Sequence, residues 1–297
     1  MTADSSLMPN DKQHLIGEGM NDQGLSFSLQ WLNNTSSAPV GNDDSKILSI
    51  ADFGYWVLGN FKNTAEVKAA IQSGNTQFWV PIVKALDPVN PLPQHYAIFD
   101  KKGAGIVVEI TNGKVNVYDN TVNTMTNGPE FPWQLTNLNN YTFTNVDKNT
   151  GQLGSLKLAT QDAGIALSAL PSAQTATGRF VKAAFYANYV RKAKTPDEAI
   201  TTLGHIMNNF DRPYDLTVDG SGGKGDGVRT GSSDSSEITL FTVMNDLSRN
   251  LFYLRTIKSL NWSVVDMNKL KDIKQAKSVS MYDIDKPGAD IFSLFYK

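Results

Sequence analysis

The chain has 297 residues, 40% hydrophobic and 10% aromatic, enough apolar material to bury the core of one large domain or two small ones. Its formal net charge is -2 with no run of Lys or Arg, which argues against a nucleic-acid or anionic-membrane partner, and no apolar stretch nears the roughly 20 residues of a membrane span. There is no cysteine, so disulfides, thiolate metal sites and a Cys nucleophile are excluded within these residues. His14, His95 and His205 have no ligand spacing, and neither a metal nor another cofactor is expected. Met1 to Asn10 lacks the basic start and apolar centre of an export signal.

The polar segment Met1 to Gln13, with Pro9 and several Asp and Ser residues, reads as a loop. Asn21 and Gly24 suit a turn. Ile47 to Phe61 repeats apolar residues at helical spacing (Ile47, Ile50, Phe53, Val57), and Asn63 or Thr64 caps a second helix through Ile71. From His95 the period becomes two. An apolar run to Phe99, a turn at Lys101-Lys102-Gly103, the run Ile106 to Ile110, a turn at Asn112-Gly113, then Val115, Val117 and Thr121 to Met125 predict an antiparallel meander. Ala176 to Val190 returns to helical spacing. Thr195, Pro196 and Glu198 form the start of another helix, with Thr195 as cap and Glu198 completing a capping box. Strands follow at Glu237 to Met244, Leu251 to Ile257 and Trp262 to Asp266, with a tight turn near Asn245-Asp246. Helices in pairs and strands in meanders indicate an α+β layered fold, with antiparallel sheets between helices.

Several segments have a plain reading of their own. Thr126-Asn127-Gly128-Pro129 is an ordinary turn sequence, Arg179 near a helix start is a solvated charge, and Trp31 in an apolar segment is core. Gly222 to Gly227 is glycine-rich, but Gly225 follows Lys224 and the phosphate-loop spacing fails, so it reads as a mobile loop. Asp43-Asp44 and Lys101-Lys102 read as solvated surface.

Ordered motifs reverse the reading of three of these positions. Gly19-Met20-Asn21-Asp22-Gln23-Gly24-Leu25, followed by Leu29-Gln30-Trp31-Leu32, resembles the Asn-Glu-Lys-Gly-Leu segment of the choloylglycine hydrolase and penicillin V acylase family. Met125-Thr126-Asn127-Gly128-Pro129-Glu130-Phe131, with Gln134-Leu135 and Leu138-Asn139-Asn140-Tyr141 behind it, is similar to its Met-Thr-Asn-X-Pro-X-Phe signature, and Gly178-Arg179-Phe180-Val181-Lys182-Ala183 to its Arg-Phe-Val-Arg-Ala segment. Thr242 to Asp246 with Phe252 to Thr256 is like the family's late hairpin. The resemblance divides the chain into a non-matching segment, residues 1–16, and a family-like domain, residues 17–297.

The resemblance implies an N-terminal nucleophile hydrolase with an αββα sandwich, cutting a small-molecule acyl amide. In such enzymes an N-terminal Cys attacks a linear amide carbonyl and its own α-amino group serves as base. By the motif match, Asn127 and the main chain of Trp31 would form the oxyanion hole, and Arg179 would stand beside the nucleophile and favour its thiolate. Homo-oligomers are implied as well. Members of the family have several dozen residues before the segment matched by Asn21, whereas twenty precede it here, and no arginine occurs before Arg179. The expectation is therefore a domain whose N-terminal strands are missing, either a truncated form of an amidase or a non-catalytic chain, acyl-ligand-binding or a decayed paralogue. A signal peptide for the periplasm would be lost with those strands. Thr2, exposed after removal of Met1, is the one internal substitute for the nucleophile, and it lies close to Asn21 in a segment that reads as mobile. Trp31 occupies a position that is Trp in the acylase branch and Asn in bile-salt hydrolases, which favours long-acyl or aromatic-acyl substrates.

Overall fold

The computed structural model describes residues 15–83, 90–142, 150–217, 236–284, 292 and 295. The loop expected over residues 1–13, Thr2, His14 and the glycine-rich residues 222–227 lie outside them. In chain order the elements are β1 (Glu18–Met20), β2 (Leu25–Trp31), β3 (Ile47–Ser49), α1 (Phe53–Asn60), α2 (Thr64–Gln72), β4 (Gln77–Trp79), β5 (Gln94–Asp100), β6 (Gly105–Thr111), β7 (Lys114–Asp119), α3 (Phe131–Asn137), β8 (Thr150–Leu153), β9 (Leu156–Ala159), α4 (Ala176–Tyr189), α5 (Pro196–Met207), β10 (Phe241–Asp246), β11 (Leu251–Thr256), β12 (Ser263–Asp266) and α6 (Met281–Ile284). The fold is α+β. A five-stranded antiparallel sheet runs β1-β2-β5-β6-β7, and a three-stranded antiparallel sheet runs β10-β11-β12.

Period-two alternation sorts the five-stranded sheet into two unlike faces. Leu25, Phe27, Tyr96, Ile98, Ile106, Val108 and Ile110 lie on one face and pack against Phe53 and Val57 of α1 and Val67 and Ile71 of α2. Burying each large apolar side chain in this layer stabilises the fold by roughly 1.5–3 kcal/mol. On the opposite face Val107 meets Phe131 of α3 and Phe180 of α4, beside the buried polar pair His95 and Glu109. In the second sheet, Leu254 and Val265 pack with Phe252, Met281 and Ile284, while α5 brings Gly204 against Met244. No helix among the described residues is long and apolar enough to cross a membrane.

Local chemistry explains most boundaries. Asn63 caps α2 by accepting from Glu66 N–H, and Thr195 caps α5 by accepting from Glu198 N–H. Asn112 and Gly113 both take positive φ, 54° and 71°, as a two-residue hairpin turn requires. Glu198 departs from the expected capping box: its carboxylate accepts from Lys194 N–H rather than reaching back to Thr195.

Three expected elements differ. Ile47 to Phe61 is not one helix. Ile47–Ser49 pairs in parallel with Gln77–Trp79, Ser49 caps a short 3-10 turn, and the α-helix begins at Phe53. Thr121 to Met125 is not a strand, because the Asn120 side chain bonds both the N–H and the carbonyl of Thr124 and curls the chain. Glu237 to Leu240 precedes β10, with Glu237 N–H and Thr239 N–H bonded to the Thr217 and Arg212 carbonyls instead of a strand partner. The last hairpin turn occupies residues 247–250, since Asp246 accepts from Ser248 and Arg249 N–H groups and terminates the strand.

Two contacts bind these parts together. Asn21 accepts from Gln23 and Leu25 N–H through Oδ1 and donates through Nδ2 to the Leu58 and Phe61 carbonyls, each 2.9 Å away, fixing the β1–β2 turn on the end of α1. Gly24 completes that turn at φ 82°, where a Cβ would stand 2.8 Å from the Leu247 carbonyl oxygen. Asp100 accepts four bonds, from Thr64 N–H (3.1 Å), Thr64 Oγ1 (2.9 Å), Lys102 N–H (2.9 Å) and Ala104 N–H (3.3 Å), so one carboxylate joins α2 to the β5–β6 turn.

Gly24→Ala is expected to cost about 1–3 kcal/mol through the positive φ and the clash at Leu247, read as a lower urea midpoint. Burial opposes the charged form of Asp100, but its four donors outweigh burial and hold the carboxyl below its ordinary value of 3.8. A folded-state value below the unfolded one adds stability that is present above pH 3.8 and lost as the pH falls through the lower folded value. Asp100→Ala should therefore destabilise by about 1–3 kcal/mol at pH 7, and urea titrations should show the difference from wild type shrinking as the pH falls below 3.8.

Candidate active site

Three chain segments meet at the end of β2. Trp31 is the last residue of that strand, opposite Gln94 of β5, and its ring is 47% exposed rather than buried in the core. Buried Thr35 pins the chain as it leaves, donating through Oγ1 to the Leu32 carbonyl at 2.8 Å and to the Gln94 carbonyl at 3.1 Å. The indole N–H of Trp31 bonds Asn33 Oδ1.

The second segment is the loop between β7 and α3. Thr126 donates through Oγ1 to the Ala176 carbonyl at 2.8 Å, tying the loop to the first residue of α4. Asn127, the next residue, is half-buried and donates through Nδ2 to the Trp31 carbonyl at 3.0 Å. Gln134 of α3, itself buried, donates to the Asn127 carbonyl at 3.4 Å.

The third segment is the first turn of α4, capped by Thr175 through the Gly178 N–H at 3.2 Å. Gly178 permits a close approach there, because a Cβ would come within 2.6 Å of the Ala173 carbonyl oxygen. Arg179 donates through Nε to the Gln174 carbonyl at 3.0 Å and through Nη2 to Asn127 Oδ1 at 2.8 Å.

The three residues singled out in the sequence thus form one hydrogen-bonded chain, Trp31 carbonyl to Asn127 amide to Arg179 guanidinium. Its polarity fixes the amide. A flip of Asn127 would set its oxygen against the Trp31 carbonyl oxygen and its NH2 against a cation, two repulsive contacts in place of two favourable ones. One Nδ2 hydrogen faces Trp31, and the amide has a second hydrogen that another acceptor can take. Burial first, and then the nearby Arg212, pull Arg179 below its ordinary guanidinium value, with Glu237 opposing them. A guanidinium remains charged under such a shift. Lys182, one turn along α4, is lowered by burial and then by Arg179. The neighbourhood of Asn127 is consequently cationic, moderated by the Arg212–Glu237 ion pair.

A buried polar pair supports the loop from the sheet. His95 and Glu109 face each other across β5 and β6, 1% and 0% exposed, with Nδ1 and Oε1 3.1 Å apart. His95 Nε2 donates to the Thr126 carbonyl at 2.9 Å, and Phe131 N–H donates to Glu109 Oε1 at 2.9 Å. Glu109 and Arg212 belong to none of the motifs singled out in the sequence, where His95 stands only as an isolated histidine and Gln134 only as part of the stretch behind the Met-Thr-Asn-X-Pro-X-Phe signature. A carboxylate inside the apolar run from Ile106 to Ile110 was the available signal. Among the described residues no three His, Asp or Glu side chains gather as a metal site.

Known proteins place this architecture. A family model of linear amide C-N hydrolases, choloylglycine hydrolase family, matches residues 7–279. The bile salt hydrolase/transferase of Clostridium perfringens (strain 13 / Type A) is 29% identical over 294 residues, covering 93% of this chain and 82% of that protein. The penicillin V acylase of Pectobacterium atrosepticum is 29% identical over 217 residues, 68% of this chain and 51% of that protein. A mutant conjugated bile acid hydrolase from Clostridium perfringens, a solved structure, has a TM-score of 0.74 at 26% identity over 92% of this chain and 79% of its own. This likeness carries the implied N-terminal nucleophile hydrolase fold, with its antiparallel sheets and helix layers. With a match running over most of its length, the chain belongs to the linear amide C-N hydrolases of the choloylglycine hydrolase family.

Proposed function

We propose that this chain forms the acyl-binding and oxyanion-stabilising part of an amidase for small acyl amides. The observation that carries the reading is the Trp31–Asn127–Arg179 chain of hydrogen bonds. In this reading the substrate carbonyl oxygen takes the second Nδ2 hydrogen of Asn127 and the backbone N–H of Trp31. Leu29 N–H bonds the Gly17 carbonyl, and strand alternation sends the Trp31 N–H to the same side of β2, away from β5. Both donors are fixed before charge develops on the oxygen, which is where such donors act most strongly. Arg179 supplies positive charge that favours a thiolate. The exposed Trp31 side chain offers an apolar wall for an aromatic or long acyl group, as in penicillin V.

The 297 residues contain no cysteine, so the thiolate and its α-amino base come from outside them. The same absence favours a second reading, in which the chain binds acyl ligands without turning them over.

The deciding experiment determines the N terminus and intact mass of the protein isolated from its source, with hydrolysis assays on penicillin V and a glycine-conjugated bile acid. A species beginning with Cys that hydrolyses either substrate is expected. A species beginning at Met1 or Thr2 that binds an acyl ligand without turnover would establish the second reading, and one that neither binds nor hydrolyses would end both. In the active species, Asn127→Ala should lower kcat by about 10²–10³-fold with little change in KM, because an oxyanion donor acts in the transition state. Arg179→Lys keeps the charge but not the forked donor, and should lower kcat/KM by roughly 10–100-fold, equivalent to about 1.5–3 kcal/mol for a charge-assisted bond.

A further inference from the structure

A buried imidazole and carboxylate are costly to remove from water, so their placement calls for a reason beyond filling the sheet. The bonds that His95 and Glu109 make beyond their own contact converge on one short stretch. His95 Nε2 holds the Thr126 carbonyl, immediately before Asn127, and Glu109 Oε1 holds the Phe131 N–H, four residues after it. A carbonyl only accepts, so Nε2 carries a hydrogen, and a single proton lies between Nδ1 and Oε1. Thr126 in turn grips the Ala176 carbonyl three residues before Arg179. The loop bearing Asn127 is therefore clamped at both ends from one face of the five-stranded sheet, and one clamp is linked to the helix that orients the Asn127 amide.

We propose that His95 and Glu109 are positioning residues that set the Asn127 amide in its donor geometry. This rests on Asn127 acting as an oxyanion donor, and it adds the device that holds the donor in place. Neither residue touches substrate. Glu109 fixes the ring of His95 from behind, His95 fixes the Thr126 carbonyl, and the position of Asn127 follows from the peptide unit next to it. Misplacement of a catalytic group by about 1 Å can cost 10²-fold in rate, so a loosened clamp should be felt in kcat rather than in KM.

The test is a double-mutant cycle in the full-length, active protein, with His95→Leu, Asn127→Ala and the double variant. His95→Leu should lower kcat about 10–100-fold with KM within about twofold, but cost less than about threefold further in the Asn127→Ala background. His95→Gln, which keeps a donor for the Thr126 carbonyl, should recover at least a few-fold of the loss. An equal loss in both backgrounds, or none in wild type, would overturn the proposal. A second readout needs no turnover: the Asn127 side-chain amide signals in a 15N-labelled sample, identified by their loss in Asn127→Ala. They should move or broaden in His95→Leu, and unchanged signals would refute the clamp whether or not the protein hydrolyses anything. Moved signals in a protein that turns over no amide would uphold the clamp while removing the enzymatic reading. If His95→Leu does not fold, Glu109→Gln tests the same link by the same two readouts, since it keeps an oxygen for the Phe131 N–H and replaces the other oxygen of the group behind the imidazole with an NH2.

Discussion

A carboxylate buried in the middle of a sheet has to find hydrogen-bond partners, and that constraint shapes the face of the sheet that carries the candidate site. Glu109 sits on β6 with no exposed surface, and both of its contacts fall on one oxygen, Oε1. One is a ring from the adjacent strand, and the other is the main chain at the start of α3. The helix-packed face of the same sheet is mostly apolar: there Tyr96, Ile98, Val108 and Ile110 fill space against α1 and α2, and its buried carboxylate, Asp100, is taken up by Thr64 and the β5–β6 turn. One sheet thus carries two functions. Its apolar side supplies stability, and its polar side supplies aim.

The separation explains how a half-buried loop without regular structure is held from the sheet. Loops usually run where their backbone groups meet water. Here the Thr126 carbonyl before Asn127 and the Phe131 N–H four residues after it are held by His95 and Glu109, which stand on paired strands. Rigidity passes from sheet to ring to carbonyl to amide, and Arg179 meets the amide from α4. As the proposed oxyanion donor, Asn127 gains from such support, because supporting side chains locked by packing hold a group more tightly than solvent would.

Features decided by a few neighbouring residues were legible from the chain alone. The caps at Asn63 and Thr195, the turn at Asn112-Gly113 and the helix ending near Tyr189 follow from local chemistry, and the structure contains them. The motif positions Trp31, Asn127 and Arg179 were legible as a set because they fall in order, and they do meet. What escaped depends on distant partners. Ile47–Ser49 reads as helix until Gln77–Trp79 is brought alongside it, since a strand of three residues carries no periodicity of its own. Thr121 to Met125 alternates like a strand, but Asn120 captures Thr124 first. The link between His95 and Glu109 emerges only once β5 and β6 are in register, although a lone Glu among Ile and Val was a visible anomaly.

The bonds that assemble Asn127 with its two partners join residues 96 and 52 positions apart in the chain. No short fragment holds even two of the three groups, so the arrangement has no local precursor in the unfolded ensemble. Its loop-closure entropy is met only when the sheet and α4 are both in place. The fraction of molecules with a competent amide should therefore follow the fraction that is fully folded. Natural variation far from this region, in the apolar layer under α1 and α2, would then reach the chemistry as a change in the number of working molecules rather than in the rate of each one.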